Sequence, residues 1–228
     1  MIKNLIFDLG GVLIDLDVKQ SVEAFKALVD PNKIADAASP VSAMDLLGGG
    51  ESELVQLYQT GSITTEQFVN TILQVCRPGT TSEQVLDAWC AMLRGLPAHR
   101  MEQLRLLKQK GFRVFILSNI NEWHVRWTLR KFKEWGMPEL DGVYFSNEMH
   151  LAKPDPRCYE RVISETGIVP AETLYIDDLA QNIAAGQKAG LQCLQAIGDE
   201  WMNVVKEIAD KFIKNAENVE NRKNINCH

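Results

Sequence analysis

The sequence predicts an α/β fold: a parallel β-sheet with helices on both faces and a small helical module inserted after the first strand. Three observations predict it. Short apolar runs bounded by turn residues recur along the chain, as strands buried on both faces require. Most of these runs alternate with stretches of helical periodicity, and strand–helix alternation implies right-handed crossovers and parallel pairing. One long interval, residues 18–96, breaks that rhythm with helical patterns alone.

Residues 2–7, Ile-Lys-Asn-Leu-Ile-Phe, predict a first buried strand that stops at Asp8-Leu9-Gly10-Gly11. Runs at 112–117, 143–145, 173–176 and 191–196 predict four more. Between them, 100–110 sets Met101, Leu104 and Leu107 on one helical face and stops at Gly111. The 154–166 segment carries Cys158, Val162 and Ile163 at helical spacing, and 179–189 carries Ile183, Ala184 and Ala185 before Gly190. In the long interval, Val22, Phe25, Leu28 and Val29 fit one helix, with Ser21 just before it. Residues 53–58 fit a second, and Thr64-Thr65-Glu66-Gln67 is a capping signature for a third running to Val75. Residues 82–93 fit a fourth, and no convincing strand is found from 18 to 96. The expected organisation is a Rossmann-like α/β core from 1–17 and 97–213, a helical cap from 18–96, and a polar, Asn-rich tail at 214–228 that frays.

Composition narrows the function. The chain has 228 residues, 46% hydrophobic and 24% charged, an ordinary globular profile. Acidic residues outnumber basic ones, 30 to 24, and no basic stripe stands out, which argues against nucleic-acid binding. No apolar run approaches the roughly 20 residues of a membrane helix. Asp8 breaks the apolar N-terminus and no signal-peptide layout follows, so a cytoplasmic location is expected. Cys76, Cys90, Cys158, Cys193 and Cys227 form no CxxC pair and read as reduced thiols. The histidines stand too far apart for a zinc site.

In an open parallel sheet, ligands bind beyond the carboxyl ends of the strands, near the switch in strand order. The first predicted strand ends in Asp8, the second in Ser118-Asn119 and the fourth in Asp177-Asp178; Lys153-Pro154 opens the helix after the third. Carboxylates crowded in one site repel unless a cation compensates them, and oxygen ligands without His or Cys favour Mg²⁺. A carboxylate is also a nucleophile. A Ser hydroxyl and a Lys ammonium suit the non-bridging oxygens of a phosphate. Phosphoryl transfer needs little beyond alignment and charge neutralisation. The set therefore predicts metal-assisted phosphoryl transfer.

Each residue also has a plainer reading. Asp8 and Ser118 suit turns, Asp177-Asp178 suits a helix N-cap, and lysines such as Lys153 are usually solvated. Their joint placement at strand ends and one helix start favours the functional readings. Trp123, His124 and Trp127 follow the second motif at helical spacing, where packing is the expected role. Asp15 and Asp17 read as solvated hinge residues. Gly48-Gly49-Gly50 lacks the Gly-Lys-Ser or Gly-Lys-Thr of a phosphate cradle and reads as a loop.

Four ordered motifs carry a resemblance. They are Phe7-Asp8-Leu9-Gly10-Gly11-Val12-Leu13, Leu117-Ser118-Asn119, Lys153-Pro154-Asp155-Pro156, and Ile176-Asp177-Asp178 with Asn182 downstream. Together they resemble the haloacid dehalogenase-like (HAD) hydrolase superfamily over 1–17 and about 97–200, with the inserted helices as its cap. The resemblance implies that Asp8 is the nucleophile that becomes an aspartyl phosphate and also a Mg²⁺ ligand. It implies the Gly10 carbonyl and Asp178 as further ligands, with Asp177 supporting the metal or orienting Lys153. Ser118, the Asn119 amide and Lys153 would hold the phosphate, making Asp8 and Lys153 the catalytic pair. The cap would choose the leaving group of a small-molecule phosphate ester.

One position departs from that pattern. Most phosphatases of the family carry an acid/base Asp two residues after the nucleophile, where this chain has Gly10. General acid–base help is worth about 10² to 10⁴ in rate. Its loss favours an ester with a better leaving group, such as a sugar 1-phosphate, or a substitute donor. The chain resembles a sub-group with Asp-Leu-Gly in this motif, in which sugar-phosphate phosphatases occur. Two rivals remain. A metal-independent 2-haloacid dehalogenase also lacks the second Asp, but Asp177-Asp178 would repel an anionic substrate. A weak or inactive binding relative is the other.

Overall fold

Four residues, Asn4–Phe7, form the central strand, and all four are buried. The computed structural model describes residues 1–34, 41 and 52–212. The Gly48-Gly49-Gly50 run, Cys227 and the 214–228 tail lie outside the described residues. In chain order the elements are β1 (Asn4–Phe7), β2 (Asp15–Leu16), α1 (Val18–Leu28), α2 (Pro31–Ile34), α3 (Glu53–Gln59), α4 (Thr65–Leu73), α5 (Ser82–Cys90) and β3 (Leu93–Gly95). There follow α6 (Ala98–Gln109), β4 (Arg113–Ser118), α7 (Glu122–Trp135), β5 (Gly142–Phe145), α8 (Ser146–Met149), α9 (Pro156–Thr166), β6 (Thr173–Asp177), α10 (Ala180–Lys188) and β7 (Gln192–Gln195). A last helix, α11, covers 201–212.

The main sheet has the order β5-β4-β1-β6-β7, and every pairing in it is parallel. All five predicted strands are present, shifted by one or two residues at their ends. The chain leaves β1 toward β4 and β5, then crosses back to β6 and β7, so the order switches beside β1. That is where an open α/β sheet forms its crevice. Side chains alternate between the two faces, as the two-residue period of a strand demands. Leu5, Phe7, Val114 and Ile116 face α6, α7 and α11, where Phe7 meets Trp201 edge-on at 5.3 Å. Ile6, Phe115, Leu117 and Tyr175 face α9 and α10. Strands covered on both sides explain the near-continuous apolar runs.

Helices α1 to α5 build a separate apolar cluster around Phe25, Val55, Phe68, Ile72, Val85 and Trp89. Tyr58 stacks on Phe68 at 4.2 Å, and Phe68 meets Trp89 at 4.9 Å. The capping signature at Thr64 is realised as a full capping box with Gln67, and Thr81 forms another with Gln84. The cap is tied to the core by polar contacts: Thr65 Oγ1 donates to Glu122 at 2.6 Å, and Ser146 Oγ donates to the Gln59 carbonyl at 2.6 Å.

The interval expected to lack strands contains part of one pair. β2 and β3 run antiparallel where the chain enters and leaves the cap. Leu93, expected in a helix, belongs to β3, and α5 stops at Cys90. With two and three residues, largely exposed or half-buried, these strands leave no alternating signal. No helix among the described residues is long and apolar enough to cross a membrane. Cys76, Cys90, Cys158 and Cys193 are free thiols.

Candidate active site

Sheet register brings the predicted residues together. Phe7 pairs with Ile116 on one side and Ile176 on the other. Asp8, one residue further, is therefore level with Leu117 and Asp177, and its N–H donates to the Ile176 carbonyl at 2.8 Å. Beyond it the chain folds back, with Gly11 N–H donating to Ile14 O at 2.9 Å and Ile14 N–H to Leu9 O at 2.7 Å.

Lys153 is the buried cation of the site. Its ammonium lies 2.9 Å from Asp8 Oδ1 and 2.7 Å from Asp177 Oδ2, and donates to the Leu117 carbonyl at 2.9 Å. The Asn119 side chain fixes its backbone: Asn119 Oδ1 accepts from Lys153 N–H at 2.7 Å, and Asn119 Nδ2 donates to Lys153 O at 2.8 Å.

Asp177 is fully buried and crowded with donors. Besides Lys153, the Tyr175 hydroxyl, the Leu179 N–H at 2.9 Å and Asn182 Nδ2 at 3.0 Å all donate to it. A carboxylate has about four lone-pair sites, so this one is spent on neighbours. Asp8 is less well served. Its Oδ1 accepts from Leu9 N–H at 2.7 Å and faces Lys153, while Oδ2 has no partner among the described residues.

The electrostatics follow from one cation among three carboxylates. Burial pushes the Asp8 carboxyl up to about 6, against the pull of Lys153. Burial also acts on Asp177, but Lys153 and the other donors hold it below the usual carboxylate range. Burial and the charge of Asp177 raise Asp178. Burial opposes the charge on Lys153, and its two carboxylate partners more than restore it. The site is short of positive charge.

An oxygen atom from each of Asp8, Asp177 and Asp178 lies within 4.8 Å of the others. The carbonyl of Gly10, two residues after Asp8, accepts no hydrogen bond from the described residues. Gly11 is needed twice over. Its φ of 79° is the left-handed region, and a Cβ there would stand 2.5 Å from Asp178 Oδ2. An all-oxygen donor set with excess negative charge fits a hard divalent cation.

Ser118 and Asn119 line a pocket of about 180 Å³ between this cluster and the cap. His124 also lines it and is buried, with Nε2 3.1 Å from the Trp89 carbonyl and its ring stacked on Trp89 at 5.4 Å. Burial depresses its pKa to about 4. Of the other aromatic residues flanking the second motif, Trp123 packs on the cap cluster and Trp127 on the core cluster. Asp15 is not a free hinge residue: it pairs with the buried Arg100 at 2.8 Å, and Arg100 also holds Asp199 at 2.7 Å.

The model of the haloacid dehalogenase-like hydrolase family matches residues 2–190. The chain is a haloacid dehalogenase-like hydrolase. Among curated relatives of this HAD chain, a D-ribitol-5-phosphate phosphatase of Bacteroides thetaiotaomicron is 28% identical over 88% of the chain and 95% of its own length. A sesquiterpene phosphatase of Aspergillus oryzae is 29% identical over 83% and 87%. Among solved structures, a HAD family enzyme of Bacteroides thetaiotaomicron in complex with magnesium and inorganic phosphate superposes with a TM-score of 0.73. It is 27% identical over 90% of this chain and 99% of its own.

The polar residues singled out from the sequence lie together at the HAD crevice, while three of their neighbours, Tyr175, Arg100 and Leu16, went unnoticed there. Tyr175 lies two residues before Asp177 in the same strand, so the two-residue period alone could have placed it on Asp177's side. Arg100 and Leu16 gave no such signal, because their partners are remote in sequence or in a strand too short to recognise.

Proposed function

We propose that the chain is a Mg²⁺-dependent phosphatase acting on a small phosphomonoester through an aspartyl-phosphate on Asp8. The observation that carries this is the buried Asp8–Lys153–Asp177 array at the sheet's switch point, beside Asp178 and a pocket. Asp8 Oδ2 is the attacking atom: its bond to phosphorus forms as the bond to the leaving oxygen breaks. Water then hydrolyses the acyl phosphate and regenerates the carboxylate. Lys153, the Ser118 hydroxyl and the Asn119 amide hold the non-bridging oxygens. Asp8, Asp178 and the Gly10 carbonyl would hold the cation, which when bound neutralises charge on the transferring phosphoryl group. Asp177, its lone pairs already used, acts as the positioning residue for Lys153.

The named relatives support phosphate-ester hydrolysis; one is named for D-ribitol 5-phosphate and the other for a sesquiterpene. The rival dehalogenase reading is disfavoured by three clustered carboxylates served by one lysine. The test is phosphate release from a panel of sugar, nucleotide and simple alkyl or aryl phosphates with Mg²⁺ and with EDTA. Hydrolysis that stops with EDTA and in Asp8→Asn is expected. Turnover indifferent to both would refute the mechanism.

A further inference from the structure

Two features of the pocket bear on the leaving group. Its walls are mostly apolar, with Ile14, Leu16, Val55, Met92, Leu93 and Ile120 among them; Ser21, Gln59 and Thr128 add polar atoms, and no charged side chain lines it among the described residues. Its volume of about 180 Å³ is close to the ~150 Å³ of an apolar cavity that takes up benzene. The second feature is Leu16. A Cβ on Gly10 would lie 2.8 Å from Leu16 Cδ1, so Leu16 fills the space a side chain at position 10 would use. His124, the titratable ring in the pocket, is held neutral by burial and has no proton to spare.

We propose that this pocket selects small aryl phosphates, seating a ring of about benzene size against Leu16, Met92 and Ile120 and releasing it as a phenolate. The proposal rests on Asp8 being the nucleophile. As the Asp8–phosphorus bond forms, the aryl oxygen takes the electron pair of the breaking bond and leaves as the anion. It later gains a proton from water, and a second water releases phosphate from Asp8. A phenol has a pKa of ~10, against ~16 for water and comparable simple alcohols. A phenolate therefore departs without a proton donor where an alkoxide does not. A polyol phosphate releases an alkoxide and meets the same barrier; two lining residues, Thr128 and Trp89, carry unpaired polar atoms, and each further hydroxyl buried without a partner costs roughly 1–3 kcal/mol, about 5- to 150-fold.

The experiment compares kcat/KM for phenyl phosphate, benzyl phosphate and ribitol 5-phosphate with Mg²⁺, using acetyl phosphate as a control with almost no leaving group to recognise. Phenyl phosphate is expected to exceed benzyl phosphate by about 10²-fold or more and ribitol 5-phosphate by at least that. Met92→Gln, which keeps the shape but adds an amide, is expected to raise KM for phenyl phosphate about tenfold with the thermal midpoint unchanged. Gly10→Asp combined with Leu16→Ala makes room for a donor and is expected to shrink the phenyl-to-benzyl ratio. The proposal is overturned by ribitol 5-phosphate matching phenyl phosphate, by a phenyl-to-benzyl ratio within threefold, or by Met92→Gln leaving phenyl phosphate untouched. Hydrolysis of acetyl phosphate in those same cases leaves the phosphatase reading standing. Its absence, with no ester cleaved, overturns both.

Discussion

Replacing Lys153 by Met removes the one ammonium shared by Asp8 and Asp177 while nearly keeping its volume. The lysine is 4% exposed and sits 2.9 Å and 2.7 Å from the two carboxylates. Deleting one partner of a buried ion pair leaves an uncompensated charge and costs about 3–5 kcal/mol. For a domain of this size each kcal/mol lowers Tm by roughly 2–4 °C, so a drop of about 6–20 °C is expected. The loss comes from stranded carboxylates and not from packing, so adding Asp177→Asn should recover at least half of it. Thermal melts at pH 7 in EDTA, on the wild type, Lys153→Met, Asp177→Asn and the double variant, give the coupling directly. Phosphatase activity should be lost in Lys153→Met whatever its stability. A Tm within 2 °C of wild type, or a double variant less stable than Lys153→Met by the full cost of Asp177→Asn, would refute the electrostatic argument.

Two further outcomes follow from the geometry. Gly11→Ala should cost about 1–2 kcal/mol, because its backbone is left-handed. Its Cβ would also press on Asp178, so Mg²⁺ affinity measured by calorimetry should fall about 10- to 100-fold; unchanged affinity would contradict the placement of Asp178. His124 has a folded pKa of about 4, below the ~6.5 of the unfolded chain. The unfolded state thus binds the extra proton between these values, and stability present above pH 6.5 is lost as pH falls toward 4. Between pH 7 and 4.5 that loss is roughly 2.5 kcal/mol. Urea unfolding of wild type and His124→Gln at both pH values should show a shallower acid loss in the variant by about this amount; parallel slopes would show that His124 titrates normally.

Much of the core was legible because its strands are buried on both faces. Runs such as Phe112–Leu117 have no polar residue to dilute the signal beyond Arg113, and they break abruptly at Ser118 and Asp177. A polar residue straight after such a strand marks the crevice, since all the strands point the same way. The cap's capping boxes were legible for a local reason, as Thr64 and Gln67 satisfy each other's backbone within one turn. What was hidden depends on distance in sequence. The β2–β3 ribbon joins Asp15 to Gly95, and Arg100 reaches back to Asp15 and on to Asp199. The division of labour between adjacent Asp177 and Asp178 was equally hidden. Identical side chains one residue apart differ because one points at Lys153, Tyr175 and Asn182 and the other over Gly11. Gly10 was visible as a missing side chain, but only the fold shows that Leu16 occupies its place.

The most direct measurement is to quench the enzyme in acid during steady turnover of a phosphate ester, digest it and map phosphate by mass spectrometry. The account predicts a phosphoryl group on the peptide containing Asp8, located on Asp8 itself and absent from Asp8→Asn. Turnover with Asp8 unmodified, or with phosphate trapped on another residue, would contradict it.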